Sequence, residues 1–356
     1  MKKVAIVGTQ GVPARYGGFE TLVENIIGDN CSKDIEYTVF CSSKDLSTNL
    51  DEYRGAKLKY VAISANGIQS IPYDIVSLLK VIKGYDTILV LGVSGCIFLP
   101  IFKLLNSSRL IVNIDGLEWK RGKWNSFAKW FLKLSEKVAV RCADVVIADN
   151  QGIVDYVKKE YGIRAELIAY GGDHVVKYIP VAKEDCVLSE YNLERNNYAV
   201  TVCRIEPENN CDMILEAFAK NGMRLLFIGN WEKSEYGQGL KEKYKNFSNI
   251  TMQGAMYNLD TLHVLRTQSR YYVHGHSAGG TNPSLVEAMF SGCNILAYDV
   301  VYNRETMANK GAHFGTTDSL VNLIAENNIY NADALLKVAQ ERYTWKEIAK
   351  KYESIF

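Results

Sequence analysis

Apolar positions in the first half of the chain fall in short β-branched runs, at residues 4–7, 37–41, 87–91, 109–114 and 145–148, with longer stretches of helical spacing between them. Runs that are apolar without alternation predict strands buried on both faces, as in a parallel sheet covered by helices. The rhythm restarts in the second half, at residues 198–203, 224–228, 250–253, 271–273 and 294–297. Two α/β lobes in succession are the consequence. Between them Tyr170-Gly171-Gly172-Asp173-His174 and the charged positions Lys183, Glu184 and Asp185 suit a hinge and a surface linker, which puts a boundary near residues 172–192. No solenoid period and no low-complexity tract interrupts the pattern.

Length agrees, since 356 residues exceed one ordinary domain and allow two, each with its own core. The 41 Lys and Arg nearly cancel the 40 Asp and Glu, so no overall field draws the chain to nucleic acid. None of the 8 Cys forms a CxxC pair or a metal-ligand spacing, which reads as reduced core thiols of a cytoplasmic protein. Residues 1–8 join a basic start to a short apolar run that ends in a glycine loop, a first strand rather than a signal peptide. The most apolar stretch, residues 88–102, contains Gly92, Gly95 and Pro100 and is shorter than the roughly 20 residues of a spanning helix.

Three segments carry chemistry. The first strand empties into Gly8-Thr9-Gln10-Gly11-Val12-Pro13-Ala14-Arg15-Tyr16-Gly17-Gly18-Phe19-Glu20, where glycines at a strand-to-helix turn admit a ligand close to backbone amides. Its spacing is neither that of a dinucleotide fingerprint nor that of a P-loop, which disfavours a dehydrogenase or an ATPase. In the second lobe Arg204 follows a strand, where a guanidinium can grip a diphosphate or simply form a surface ion pair. The third segment, His274 to Met289, ends a strand, runs through Gly279, Gly280, Thr281 and Asn282, and starts a helix at Pro283. Amides there face an anion, and Glu287, about one turn into the helix, can accept hydrogen bonds from sugar hydroxyls. His274 and His276 have metal-like spacing but no evident third ligand, so no metal site is expected.

Taken together, these segments resemble the retaining GT-B glycosyltransferases, and more narrowly the bacterial polysaccharide rhamnosyltransferases that open with a GTQGVPARYGGFETL-like stretch. The likeness also covers Asp115-Gly116-Leu117-Glu118-Trp119-Lys120-Arg121, Ala143 to Asp149, the Arg204 loop, the GGTNPSLVEAM stretch and Tyr343-Thr344-Trp345. It implies an α/β GT-B fold, with two Rossmann-like lobes whose parallel sheets face each other across a cleft. The implied domains are residues 1–175 on the acceptor side, 176–335 for the nucleotide sugar, and a closing helix, 336–356, packed back on the first. By the same likeness Arg204 contacts the donor diphosphate, Glu287 the ribose, the Gly279 to Asn282 amides the diphosphate and sugar, and Gly17 and Gly18 the transferred sugar and phosphate. Asp115 is then the acceptor contact and, with Arg204 and Glu287, one of the catalytic candidates.

Two departures from that pattern stand out. The wider group carries a Lys five residues after the arginine, where this chain has Asn209, for which Arg15 is a candidate substitute; it also carries a Glu eight residues before the second one, where this chain has Gly279. Donor-sugar recognition should therefore differ, as for a 6-deoxy sugar. No Asp-x-Asp pair occurs, so transfer without a divalent ion or other cofactor is expected, with retention by front-face displacement implied by the likeness. The implied donor is dTDP-rhamnose and the acceptor a polyprenyl-diphosphate-linked saccharide of bacterial surface polysaccharide synthesis. A GT-B sugar-nucleotide epimerase and a non-catalytic sugar-nucleotide-binding protein are the other readings.

Residues 119–133 place Trp119, Trp124 and Trp130 beside Lys120, Arg121, Lys123, Lys129 and Lys133. That composition suits either a helix lying on an anionic membrane or one packing its aromatics into the first lobe. The likeness favours the former, making Glu20, Glu118, Trp119, Lys120, Arg121 and Trp124 the acceptor or membrane side of a cytoplasmic protein held peripherally on the inner face of the membrane.

Overall fold

The computed structural model describes residues 1–14, 17–28, 32, 34–122 and 124–356. It divides into one unit of Met1–Tyr170 with Trp345–Phe356 and a second of Gly171–Thr344.

The first unit holds strands β1 (Lys2–Val7), β2 (Ile35–Ser42), β3 (Glu52–Tyr53), β4 (Ala56–Val61), β5 (Thr87–Leu91), β6 (Arg109–Asn113), β7 (Val145–Ala148) and β8 (Glu166–Leu167). They form one sheet in the order β3-β4-β2-β1-β5-β6-β7-β8, parallel except for the β3–β4 hairpin. The second unit holds β9 (Tyr198–Val202), β10 (Arg224–Ile228), β11 (Ile250–Gln253), β12 (Tyr271–His274), β13 (Ile295–Tyr298) and β14 (Ala312–Phe314), all parallel, in the order β11-β10-β9-β12-β13-β14. All ten strands predicted from apolar runs are present. β3, β4, β8 and β14 are additions at or near the sheet edges.

Leaving aside the β3 hairpin and the short β8, both sheets are wound alike: outward from the first strand in one direction, then back past it in the other. The reversal lies between β1 and β5 in the first unit and between β9 and β12 in the second. A sheet of this kind opens a crevice beyond the carboxyl ends of the two strands at its reversal, because their following loops diverge to opposite faces. The loop after β1 and those after β9 and β12, all singled out by sequence, start at these points.

The segment predicted as one closing helix is two. Ala332–Arg342 stays in the second unit, burying Leu335, Val338 and Ala339, and Trp345–Ile355 belongs to the first. The latter inserts Trp345, Ile348, Ala349 and Tyr352, on one face at i, i+3, i+4 and i+7, into a core shared with Val4, Ile6, Leu89 and Ile111. Asn113 Nδ2 donates to the Tyr352 hydroxyl at 2.8 Å, and Thr87 Oγ1 donates to the Phe356 carbonyl at 2.9 Å. Residues 239 and 269 positions apart are thus joined in the middle of the sheet. Replacing Trp345 by Ala should cost roughly 3–5 kcal/mol, read as a lower urea midpoint of the full chain; an unchanged midpoint would show that the helix adds nothing to this core.

Candidate functional site

In the second unit the loop after β9, residues 203–210, and the loop after β12, residues 275–282, are laced together. Asn210 Nδ2 donates to the Gly275 carbonyl at 2.8 Å, and both the amide and the hydroxyl of Ser277 donate to the Glu208 carbonyl at 2.8 Å. A Cβ on Gly275 would stand 2.1 Å from the Asn209 carbonyl oxygen, so only glycine permits the approach. Asn209 is buried with both ends of its amide in use: Nδ2 donates to the Arg204 carbonyl at 2.7 Å and Oδ1 lies 2.7 Å from His276 Nδ1. With Oδ1 as acceptor, the imidazole proton sits on Nδ1. The amide therefore shapes the Arg204 loop from inside. Arg204 itself is about one-third exposed, with Nη2 3.8 Å from Glu206 Oε2.

Gly280 and Thr281 are buried, and Asn282 caps the helix Pro283–Phe290, its Oδ1 accepting from the Ser284 amide at 3.0 Å and hydroxyl at 2.8 Å. Pro283 at the first helical position costs nothing, because that amide has no partner within the helix. Glu287 lies one turn further on. Its Oε2 accepts from Arg266 Nη2 at 2.6 Å, and its Oε1 is 3.6 Å from His174 Nε2. Arg266, on the helix Leu259–Thr267, is only 2 % exposed. Burial opposes its charge, but Glu287, Tyr272 and Cys293 outweigh burial and hold its pKa above the ordinary value. Sequence reasoning missed both partners of Glu287. The one signal for Arg266 is a charged residue among the apolar positions Leu262, Val264 and Leu265, all buried on the same helix.

His274 and His276 stand with ring centres 6.0 Å apart. Burial pushes the His274 pKa down to about 3, so it is neutral, and its ring stacks on Tyr272 at 6.3 Å. Among the described residues no three His, Cys, Asp or Glu side chains are grouped to hold a metal.

In the first unit Glu20 folds the opening loop. Its Oε1 accepts from Thr9 Oγ1 and from the Gln10 amide, both at 2.8 Å, and its Oε2 fills the space that a Cβ on Gly17 would enter at 1.9 Å. Gly17 also has φ 131°, a conformation side chains avoid, and Gly18 begins the helix Gly18–Ile26. Burial pushes the Glu20 pKa up against those hydrogen bonds. The carboxylate is turned into the loop. Arg15 lies outside the described residues.

Asp115 follows β6 in a left-handed conformation, φ 59°, and its amide donates to Asn113 Oδ1 at 2.9 Å. Its carboxylate accepts from the Tyr170 hydroxyl at 3.3 Å and lies 3.8 Å from Arg121 Nη2. Arg121 Nε in turn pairs with Glu118 Oε2 at 2.8 Å, and Trp124 Nε1 donates to Glu118 Oε1 at 3.0 Å. Trp119 Nε1 donates to the buried Glu136 at 3.0 Å, with Lys133 Nζ 4.5 Å and Lys120 Nζ 5.4 Å from its ring centre. Of the three tryptophans read as an interfacial group, two are thus bonded to carboxylates of their own unit.

Comparison with known proteins agrees with this division. Residues 1–173 match the family model described as Domain of unknown function (DUF1972), and residues 189–337 match Glycosyl transferases group 1. No curated protein matches. Among solved structures, sucrose-phosphate synthase from Thermosynechococcus elongatus is 16 % identical with a TM-score of 0.84, over 100 % of this chain and 98 % of that one. HepE of Anabaena in complex with UDP-glucose is 14 % identical with a TM-score of 0.76, over 99 % of each chain. A glycosyltransferase from Rickettsia africae is 13 % identical with a TM-score of 0.74, over 99 % of this chain and 97 % of that one. The fold is GT-B, and residues 189–337 match the model of the group 1 glycosyl transferases without showing membership for the whole chain.

Removing one member of a buried ion pair strands the other. Arg266→Met should cost about 3–5 kcal/mol, and adding Glu287→Leu should restore part of it. Urea denaturation in a double-mutant cycle measures this coupling; strictly additive effects would mean that the pair does not organise the second unit.

Proposed function

We propose that the chain transfers L-rhamnose from dTDP-rhamnose to a lipid-linked saccharide acceptor in bacterial surface polysaccharide synthesis, with retention of configuration and without a divalent ion. The observation that carries the reading is Glu287, fixed by Arg266 at 2.6 Å one turn behind an Asn-capped, glycine-rich loop at the reversal of the second sheet. A carboxylate so fixed presents its remaining lone pairs to ribose hydroxyls, while Arg204 and the Gly279 to Asn282 segment meet the diphosphate. Asn209 contributes by shaping the Arg204 loop.

In a front-face displacement the acceptor hydroxyl oxygen bonds to the anomeric carbon as the bond from that carbon to the phosphate oxygen breaks. The hydroxyl proton passes to the departing diphosphate. Negative charge grows on that diphosphate, where a guanidinium and oriented amides stabilise it most. Asp115 orients the acceptor, its backbone strain being of the kind that a structure keeps at working positions. The acceptor's lipid anchor implies peripheral attachment to the inner membrane face, and no helix among the described residues is long and apolar enough to cross a membrane.

A UDP-sugar is the second donor reading, favoured by the similarity to HepE, whose structure holds UDP-glucose. Incubation with a panel of nucleotide sugars in EDTA, with lipid-linked acceptors, separates the two. Only dTDP-rhamnose should yield a product heavier by one deoxyhexose, and Arg204→Ala should lower kcat/KM by roughly 10²–10³-fold. Turnover of UDP-glucose alone would discard rhamnose, and no turnover with any donor would discard the transferase reading.

A further inference from the structure

The outward side of the helix Ser126–Cys142 is not the polar face that a surface helix ordinarily presents. Its buried residues, Leu132, Ser135, Glu136, Ala139 and Val140, lie together on one side. At about 100° per residue, the opposite side carries Phe127, Trp130, Leu134, Lys137 and Arg141 in a stripe roughly 80° wide. The first half of the stripe is apolar and stands in solvent: Phe127 is 72 % and Trp130 60 % exposed, their rings 5.9 Å apart. The second half is basic. Lys137 and Arg141 are exposed and have no ion-pair partner among the described residues. Alongside runs a groove of about 300 Å³, with Trp130, Lys133, Lys137 and Arg141 on one wall and Glu160 and Tyr161 on the other. Glu160 is matched by Lys133 at 3.1 Å, so the groove keeps the charge of Lys137 and Arg141.

We propose that this stripe and groove dock the chain on an anionic bilayer, with Lys137 and Arg141 on lipid phosphates and Phe127 and Trp130 in the boundary between headgroups and acyl chains. The inference rests on the peripheral-membrane reading and gives it a different surface from Trp119 and Trp124, whose indole N–H groups are held by Glu136 and Glu118. Charge complementarity alone would suit any polyanion. The exposed aromatic pair on the same stripe distinguishes a lipid surface, where a helix lies flat with its rings buried and its cations at the phosphates.

The test is co-sedimentation of the full chain with phosphatidylcholine vesicles, with and without phosphatidylglycerol. The unaltered chain should bind only the anionic vesicles. Lys137→Ala with Arg141→Ala should weaken binding about thirtyfold at low salt, at roughly 1 kcal/mol for each cation. Phe127→Ala with Trp130→Ala should remove the part of binding that survives added salt. All four positions face solvent, so thermal unfolding and nucleoside diphosphate binding should stay as they are, which separates docking from folding and from the donor site. Failure of the unaltered chain to bind anionic vesicles would overturn the membrane reading and this surface together. Equal binding by the stripe variants would overturn the surface alone, and binding that loses all salt-resistance without the aromatic substitutions would mark a polyanion site instead.

Discussion

A guanidinium does not give up its proton inside a protein, so a buried arginine has to be matched where it stands. Arg266 is matched by Glu287, and the pair ties the helix Leu259–Thr267 to the helix Pro283–Phe290. Strand β12 joins them through Tyr272, whose ring centre is 6.0 Å from the guanidinium carbon, and Cys293 Sγ donates to the Arg266 carbonyl at 3.4 Å. The pair therefore fixes the carboxylate on a helix that buries Leu285, Val286, Ala288, Met289 and Phe290 and is capped by Asn282. A lone Glu287 would be free to turn; the paired one is aimed.

The two units solve a similar problem with different chemistry. Each has a loop at the reversal of its sheet that must hold a shape without regular hydrogen bonding. In the first, the Glu20 carboxylate takes the Thr9 hydroxyl and the Gln10 amide. In the second, the Asn209 amide and the His276 imidazole bind to each other, and Gly275 lets the two backbones approach. Internal bracing of this kind is what a preorganised ligand site needs, because loop ordering is then complete before the ligand arrives.

The ten short apolar runs were legible because, apart from the half-buried edge strand β11, they form inner strands of parallel sheets that are covered on both faces. β4 carries the other strand signal, exposed Lys57 and Lys59 alternating with buried Ala56 and Leu58, which a reading by continuous apolar runs passes over; β3 and β8 are two residues each, too short for any pattern. At the site, Glu287 could be read from its place behind a glycine loop. Arg266 could not, because its partner is 21 positions away and the contact exists only once two helices have packed. Trp119 and Trp124 have the composition of an interfacial group. What assigns Trp119 to a packed network is Glu136, whose carboxylate also accepts from Tyr156 and Tyr161 at 2.7 and 2.6 Å, and what holds Trp124 is Glu118, partners that composition does not encode.

Hydrogen–deuterium exchange of the full chain with and without dTDP tests the central claim most directly: that the two laced loops and the helix behind Arg266 form a preorganised nucleotide site. Protection on adding dTDP should be confined to peptides covering residues 203–210 and 275–290, with the other strands and helices of the second unit unchanged. Protection that falls elsewhere, or none at saturating nucleotide, would contradict it.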